Sequence, residues 1–250
     1  MKDDTQIIIL AAGKGVRMKS DEPKALVMLK NKPLIKHILD TIATLHLPIK
    51  PIIVVGHKKE RIIEVLGNNY LYAEQEKQLG TGHAVSSAKN SIHSSHKIIL
   101  VLSSDQPLIS KETIERLLKK HDEKKPTITM ATVLMPDFEE WRSGLRHFGR
   151  IIRENNGQVA GIVEFKDATE KEKLIKELNP AVYAFDSDWL WKNIGLIKNE
   201  NTQGEYYLTD LIKIARHQNK KIEAVPMANL IEGLQPNTKE ELEILEEFAV

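Results

Sequence analysis

The chain has 250 residues, a formal net charge of +1 and no cysteine. This charge balance gives no reason to expect a nucleic-acid partner, which needs a concentrated basic surface, and the missing cysteines exclude disulfides and thiolate zinc sites. The polar N-terminus and the lack of any apolar stretch of about 18 residues argue against a signal peptide or a membrane span. We therefore expect a cytoplasmic protein that binds neither nucleic acid nor membrane.

Short apolar strands alternate with helical patterns in the first half of the chain. The β-branched runs that predict strands lie at residues 7–10, 51–55, 97–102 and 127–134. The helical patterns between them lie at residues 33–47, 81–92 and 110–121. Pro33 suits a first helical turn and Ser110 an N-cap. Strands that are apolar throughout are typical of a parallel sheet covered on both faces, so the alternation predicts a doubly wound α/β sheet.

The pattern changes after about residue 140. Two β-like runs within 149–165 meet at Asn156-Gly157, which predicts a hairpin. The remaining predicted elements are a strand at 179–185, a helix at 204–218, a strand at 220–227 and a terminal helix at 237–248. Asn237 could cap the last of these helices. No linker rich in Pro, Gly or Ser interrupts the chain, so we expect one domain with an inserted hairpin region.

The segment LAAGKGVRMKSDEPK (10–24) places two glycines and four cations directly after the first strand. A strand, a glycine-rich loop and a helix commonly bind phosphate, because backbone N–H groups can approach the phosphate oxygens. The loop lacks both the third glycine of the dinucleotide fingerprint and the GK[ST] ending of a P-loop. A plain turn with a solvated basic surface remains the alternative. Arg17 and Lys24 favour phosphate, since both side chains pair with its oxygens.

Asp105 follows the strand predicted at 97–102. A carboxylate at the carboxyl end of a parallel strand lies where open α/β sheets bind ligands, and oxygen ligands of this kind hold Mg²⁺ between phosphates. By position alone, a turn or helix-capping aspartate explains this residue equally well.

The opening segment resembles the L-A-A-G-x-G-T-R-M-x(n)-P-K signature of sugar-1-phosphate nucleotidyltransferases. Later segments are similar, in the same order, to the bacterial N-acetylglucosamine-1-phosphate uridyltransferases, which form one half of a bifunctional enzyme. These segments are YAEQEKQLGTGHAV (72–85), SSDQPLI (103–109), FGRIIREN (148–155), GIVEFKDAT (161–169) and QGEYYLTDLI (203–212). The resemblance spans about residues 7 to 242.

This resemblance implies a mostly parallel, Rossmann-like nucleotidyltransferase sheet with an inserted β-hairpin region for the sugar. The nucleotide-binding part would cover about 1–135, the sugar-binding part about 136–235, and a terminal helix 237–250. The implied reaction joins UTP and N-acetylglucosamine-1-phosphate, with Mg²⁺, to give UDP-N-acetylglucosamine and pyrophosphate. The attacking sugar phosphate is already an anion, so the reaction needs positioning and charge neutralisation rather than a general base.

The resemblance also implies roles for individual residues on the nucleotide side. Arg17 and Lys24 would be catalytic, and Asp105 would bind the metal. Gln75 would pair with the uracil edge, which a planar amide can do. The remaining substrate-binding positions would be Leu10, Ala11, Ala12, Gly13, Lys14, Gly80, Thr81, Ser103 and Ser104. An exposed turn that opens a helix would explain Gly80 and Thr81 without any ligand.

On the sugar side the resemblance implies Gly149, Glu164 and Asn179. A solvated strand end is the alternative for Glu164, and a turn before Pro180 is the alternative for Asn179. The second metal ligand would be Asn237 or Gln235, depending on where an insertion is placed. Asn237 is preferred, although it would also suit a simple helix cap.

The chain departs from the family pattern at several positions. Ser103-Ser104 stands where the family has Tyr-Gly, Asn179-Pro180-Ala181 where it has Asn-Thr-Gly, and Val16 where it has threonine. The glycine lost near the sugar indicates tighter or different packing around the acyl group. These departures bear more on which sugar-1-phosphate is the substrate than on which reaction is catalysed.

The left-handed β-helix of the bifunctional family does not occur in these 250 residues. We therefore expect no acetyltransferase activity, and a monomer or weak oligomer. Alternative functions are transfer to another sugar-1-phosphate or from another nucleotide, and a catalytically silent sugar-nucleotide-binding protein. A dinucleotide-binding oxidoreductase is disfavoured by the missing third glycine.

Overall fold

The computed structural model describes residues 4–18, 20–92 and 96–249. The strands within these ranges are β1 (Thr5–Leu10), β2 (Met28–Leu29), β3 (Lys32–Pro33), β4 (Ile52–Val55), β5 (Leu71–Glu74), β6 (Ile98–Ser103), β7 (Ile128–Leu134), β8 (Gly149–Arg153), β9 (Val159–Val163), β10 (Glu177–Asn179), β11 (Tyr183–Asp186) and β12 (Ile222–Pro226). The α-helices are α1 (Leu34–Ala43), α2 (Lys59–Leu66), α3 (Thr81–Ser87), α4 (Lys111–Lys124), α5 (Glu170–Lys173), α6 (Ser187–Asn193), α7 (Asp210–His217) and α8 (Lys239–Phe248).

Apart from the β2–β3 pair, these strands form one ten-stranded sheet in the order β5-β4-β1-β6-β11-β7-β10-β8-β9, with β12 paired to β7. The strands β5, β4, β1 and β6 are parallel neighbours. β11 runs against β6 and β7, and β8 and β9 form the predicted antiparallel hairpin around Gly157. The doubly wound, mostly parallel sheet with an inserted hairpin is therefore confirmed.

Side chains of the sheet alternate between two apolar cores. In β1, Ile7 and Ile9 belong to a core with α1 and α4, whereas Ile8 belongs to a core with α3, α6 and α7. All three isoleucines are at most 1% exposed. Strands covered on both faces are mostly apolar, which is why the predicted strands read as continuous apolar runs; in β1 the exceptions are the buried Thr5 and Gln6 at its start.

Helix boundaries differ from prediction by a few residues. Ser110 caps α4 as expected, since its hydroxyl oxygen accepts from the Thr113 backbone N–H at 3.1 Å. α1 begins after Pro33 and ends at Ala43, and α3 ends at Ser87, where a 3₁₀ turn follows. The helix predicted at 81–92 is therefore too long, since a 3₁₀ turn covers Lys89–Ser91 and Ile92 is extended.

The strand predicted at 179–185 is wrong in its middle. Both β10 and β11 run antiparallel along β7, but Leu178 faces Val133 while Tyr183 faces Met130, so the bend contains two extra residues. Pro180 has no N–H for a ladder. Ala181 adopts a φ of +60°, a left-handed conformation that costs a non-glycine residue about 1 kcal/mol. The bulge interrupts the pairing with β7 between Leu178 and Tyr183.

The helix predicted at 204–218 begins only at Asp210. Tyr206, which precedes it, pairs with the start of α3 instead: Tyr206 N donates to Leu79 O and Gly82 N donates to Tyr206 O, both at 2.8 Å. Leu208 N donates to the Thr81 hydroxyl oxygen at 3.0 Å. These hydrogen bonds to another segment replace the helical ones that the local pattern favours.

Arg150 in β8 is fully buried and faces backbone carbonyls. Its guanidinium donates to the carbonyl oxygens of Phe148, Arg146 and Lys173, and it lies 5.1 Å from the ring centres of Phe138 and Phe165. Burial lowers the pKa of this group. These contacts fix the turn before Gly149.

We expect Arg150→Met to lower the free energy of unfolding by about 2–3 kcal/mol, because three partly buried carbonyls lose their charged donor while the cost of a buried charge is removed. Urea denaturation measures this change. Arg116→Met, whose partner Glu112 lies 3.9 Å away on the surface of α4, should change stability by less than about 0.5 kcal/mol. An equal effect of the two substitutions would contradict this account of Arg150.

Candidate active site

A cleft of about 570 Å³ opens at the carboxyl ends of β1 and β6. These strands are parallel neighbours, with Leu10 opposite Ser103, so the loops that follow them meet at one edge of the sheet. Ser104 N donates to Leu10 O at 3.0 Å and Ala11 N donates to Val54 O at 2.8 Å, which holds the start of the glycine-rich loop against the sheet. The cleft lies where open α/β sheets bind ligands.

Lys24 is the centre of the polar contacts in this cleft. Its ammonium donates to Asp105 Oδ2 and, at 2.9 Å, to Asn237 Oδ1. Arg17 Nη2 donates to the same Asn237 oxygen at 2.9 Å. The Ser103 hydroxyl donates to the other Asp105 oxygen at 2.6 Å. The loop after β1, the end of β6 and the segment before α8 therefore converge on one point.

The Lys24–Asp105 pair is shielded but reachable from solvent, with side chains 13% and 14% exposed. Burial on its own would raise the pKa of Asp105, but the charge and hydrogen bond of Lys24, helped by Ser103, outweigh it and lower that pKa. Asp105 is therefore ionised at neutral pH. The cleft holds an anionic carboxylate directly beside the Lys24 ammonium, and Arg17 reaches the same group of side chains through Asn237.

Gln75 and the start of α3 form the opposite side of the cleft. Gln75 is 3% exposed, and its Nε2 donates to Gly80 O at 3.0 Å and lies 3.0 Å from His83 Nδ1. Because the Gly80 carbonyl can only accept, the Gln75 nitrogen must face it. The Gln75 Oε1 atom is therefore left to accept hydrogen bonds from other partners. Gly80 has a φ of +108°, and a Cβ there would lie 2.7 Å from Tyr206 O, so only glycine fits.

A second cleft of about 720 Å³ adjoins the first. The residues that line both clefts are Leu10, Arg17, Thr81, Ser103, Glu205 and Asn237. The second cleft lies over the hairpin β8–β9 and the bend between β10 and β11. The molecule thus offers two connected spaces, and Arg17 and Asn237 line both of them.

Glu164 is a partly buried carboxylate in the second cleft. Burial raises its pKa, the nearby carboxylates of Asp167, Asp210 and Glu205 add to this, and a hydrogen bond from Thr209 at 3.1 Å opposes it. A Cβ at Gly149 would lie 3.3 Å from Glu164 Oε2, so glycine leaves room for this carboxylate. Glu164 is held as a strong acceptor with little solvent around it.

We expect Glu164→Gln to raise the free energy of unfolding by about 1 kcal/mol near pH 7.5. Its raised pKa means that folding favours the protonated carboxyl, so stability is lost as the pH rises through the folded-state pKa. The difference in free energy of unfolding between Glu164→Gln and the wild type should vanish at about pH 4, where the wild-type carboxyl is mostly protonated. Urea denaturation at both pH values tests this, with Glu246→Gln on exposed α8 as the control. A gain that is equal at both pH values would contradict it.

Every residue predicted for the site lines one of the two clefts. Those in the first are Leu10, Ala11, Ala12, Gly13, Lys14, Arg17, Lys24, Gln75, Gly80, Thr81, Ser103, Ser104, Asp105 and Asn237. Those in the second cleft include Gly149, Glu164 and Asn179.

The alternative role of Asn237 as a helix cap is wrong. Thr238 caps α8, since its hydroxyl accepts from Glu241 N at 3.2 Å, and the Asn237 side chain instead contacts Lys24 and Arg17. The alternative, Gln235, donates through Nε2 to Pro180 O at 2.8 Å and lines only the second cleft.

Sequence analysis assigned no role to Glu205, Tyr207 or Thr209, which line the second cleft. The segment QGEYYLTDLI that contains them was recognised as similar to the family. The local pattern predicts a helix there, so it gave no sign that the first residues of the segment line the cleft.

The donor chemistry around Lys24 fits a magnesium ion. Asp105 and Asn237 each direct an oxygen to the same cationic atom, Lys24 Nζ. Within the described ranges, no group of three or more His, Asp or Glu side chains is placed to hold a metal. Two hard oxygens agree with Mg²⁺, which usually takes one or two protein ligands and completes its shell with phosphates and water.

The mostly parallel sheet and the cationic cleft at the carboxyl ends of β1 and β6 are those of an α/β protein that binds an anionic ligand. Residues 7–149 match the model of the MobA-like NTP transferase domain, and the chain belongs to that family. It is 41% identical over 232 residues to the bifunctional protein GlmU of Bacillus licheniformis and equally to that of Listeria monocytogenes. These matches cover 93% of the chain and 49% of each relative, so the chain spans about half the length of these relatives.

Solved structures share the fold. A UDP-glucose pyrophosphorylase complexed with UDP-glucose superposes with a TM-score of 0.76 at 16% identity, covering 98% of both chains. A 4-diphosphocytidyl-2C-methyl-D-erythritol synthase from Anaerococcus prevotii superposes with a TM-score of 0.67 at 14% identity, covering 99% of both. Among the described residues, no helix has both the length and the apolar character needed to cross a bilayer.

Proposed function

We propose that this protein transfers the uridylyl group of UTP to N-acetylglucosamine-1-phosphate with the help of Mg²⁺. The observation that carries the proposal is the convergence of Lys24, Asp105, Asn237 and Arg17 at the junction of two clefts. A nucleoside triphosphate needs cations and a metal site around its phosphates, which the first cleft would supply. The sugar phosphate needs space beside them, which the second cleft would supply. The similarity to the GlmU proteins supports the choice of substrates.

In this reaction an oxygen of the sugar phosphate attacks the α-phosphorus of UTP. The bond from that phosphorus to the bridging oxygen breaks, and pyrophosphate leaves with the electron pair. The nucleophile is already an anion, so the protein need not remove a proton. Its task is to hold two anions together and to neutralise the charge that develops between them.

Lys24 and Arg17 would supply that neutralisation. Arg17 offers a planar fork for two phosphate oxygens, and Lys24 offers a compact charge. Asp105 and Asn237 would hold Mg²⁺, and Ser103 would keep the Asp105 carboxylate oriented. The bound ion would supply a further positive charge for the leaving pyrophosphate.

The two ends of the substrates would be recognised by neutral and acidic groups. Gln75 Oε1 would accept a hydrogen bond from the uracil edge, since its Nε2 is already committed to Gly80 O. Gly80 and Thr81 would pack against the base. In the second cleft Glu164 would accept from a sugar hydroxyl, Asn179 would bind the acylamino group, and Gly149 would allow close approach of the sugar.

A substrate panel tests this proposal. UTP, CTP, GTP, ATP and dTTP are each combined with the 1-phosphates of N-acetylglucosamine, glucose, galactose and mannose, and pyrophosphate release is measured with Mg²⁺. The pair of UTP and N-acetylglucosamine-1-phosphate should have the highest kcat/KM. A higher value for another pair would refute the assigned substrates, and binding without turnover of any pair would indicate a silent sugar-nucleotide-binding protein.

A further inference from the structure

The bend between β10 and β11 forms part of the wall of the second cleft. Asn179 and Ala181 both line this cleft. Ala181 has a φ of +60°, in the left-handed region that glycine enters freely and alanine does not. An alanine stays in such a conformation only when its surroundings hold it there. The cleft wall is therefore strained at a residue that faces the substrate space.

Two glutamine amides hold this bend. Gln106 Nε2 and Gln235 Nε2 each donate to Pro180 O at 2.8 Å. Gln106 belongs to the segment after β6, and Gln235 to the segment before α8. We name these two side chains the amide clamp. It ties the carbonyl immediately before Ala181 to both segments that also supply the metal-binding residues.

The amide clamp leaves one buried hydrogen-bond acceptor, Gln106 Oε1, without a partner among the described residues. Gln106 is completely buried. Rotating the amide would place this oxygen against the Pro180 carbonyl oxygen, so the donating orientation is required. A buried acceptor without a donor is rare and unfavourable. The contact with Pro180 is retained in spite of this penalty.

Asn179 presents a donor beside the strained alanine. Its Oδ1 accepts from the Tyr183 hydroxyl at 2.7 Å and from Ala181 N at 3.1 Å. Its Nδ2 makes no hydrogen bond among the residues that the structure describes, and the side chain lines the cleft. The bend thus offers an N–H donor and, two residues later, a methyl group. An acylamino group has the matching features, a carbonyl acceptor followed by an apolar tail.

We propose that Ala181 is a specificity-determining residue whose methyl group, held in position by the amide clamp, limits the length of the acyl group on the sugar. This inference deepens the proposed function and rests on it. With alanine at this position the cleft accepts an acetyl group and excludes longer acyl groups. With glycine the strain and the methyl group both disappear, and the limit is relaxed.

Ala181→Gly tests the proposal. We expect the kcat/KM for N-propionylglucosamine-1-phosphate, relative to N-acetylglucosamine-1-phosphate, to rise about tenfold, since one methylene in an apolar pocket is worth at least that factor. The KM for UTP should stay unchanged. Lys125→Gly is the control, because it relieves a left-handed residue (φ +43°) at the end of α4, outside both clefts. It should leave the acyl preference as in the wild type.

Gln106→Met gives a second measurement with alanine retained. It removes one arm of the amide clamp and should shift the acyl preference in the same direction as Ala181→Gly, again without changing the KM for UTP. An unchanged preference in Ala181→Gly, with an active wild type, overturns the inference and leaves the proposed function standing. A wild type that makes no nucleotide sugar from any acylated sugar phosphate overturns the proposed function, and the inference with it.

Discussion

Lys24→Met is expected to lower kcat for nucleotide-sugar formation by about 10³-fold, the size of effect seen when one preorganised charge-stabilising donor is removed. The ammonium lies between Asp105 and Asn237 at the junction of the two clefts, where the charge of the reaction would develop. Methionine keeps most of the volume but provides no charge. Pyrophosphate release at saturating substrates measures the loss.

Lys32→Met is the matched control for Lys24→Met. Lys32 pairs with Asp40 at 2.7 Å on the surface, outside both clefts. Such exposed pairs contribute about 0–1 kcal/mol to stability, and no substrate would contact this one. Its kcat should equal that of the wild type. A folded Lys24→Met protein with full activity would remove the basis of the assigned site.

Asp105→Asn is expected to lower kcat by a similar factor of about 10³, and to raise the Mg²⁺ concentration for half-maximal activity at least tenfold. Asparagine keeps the shape of the side chain but loses the charge that binds a hard cation. The magnesium titration distinguishes this effect from a general disturbance of the cleft. In Lys24→Met the half-maximal Mg²⁺ concentration should not rise, because that substitution removes no metal ligand.

Asp137→Asn is the control for the aspartate. Asp137 pairs with Arg142 at 2.5 Å, and this contact lowers its pKa, but the pair lies outside both clefts. Its activity and magnesium requirement should match the wild type. A reduced kcat in Asp105→Asn without any change in the magnesium titration would argue against metal binding at this position.

The parts of the fold that the sequence predicted are those in which local pattern and tertiary structure agree. Residues 7–10 of β1 and 98–102 of β6 are continuously apolar because helices cover both of their faces, and a continuous apolar run is recognisable without any partner. The glycine-rich loop and Asp105 follow these strands directly. Their meeting at one sheet edge follows from parallel pairing alone, so much of the nucleotide cleft was predictable.

The parts that were mispredicted depend on contacts between distant segments. Residues 204–209 have a helical pattern, yet their backbone bonds to residues 79–82, a pairing that no local window contains. Asn237 looks like a helix cap, but a hydroxyl at Thr238 takes that place and leaves the amide for Lys24. Ala181 gives no sign of a positive φ, because the amide clamp that holds it comes from residues 106 and 235.

The most direct test of the account follows the α-phosphorus itself. The protein is incubated with Mg²⁺, N-acetylglucosamine-1-phosphate and UTP labelled with ³²P at the α-position, and the products are separated. We expect the label in UDP-N-acetylglucosamine and none in pyrophosphate, with label from γ-labelled UTP appearing only in pyrophosphate. Label that stays entirely in UTP after prolonged incubation, or that appears in UDP that carries no sugar, would contradict uridylyl transfer in this cleft.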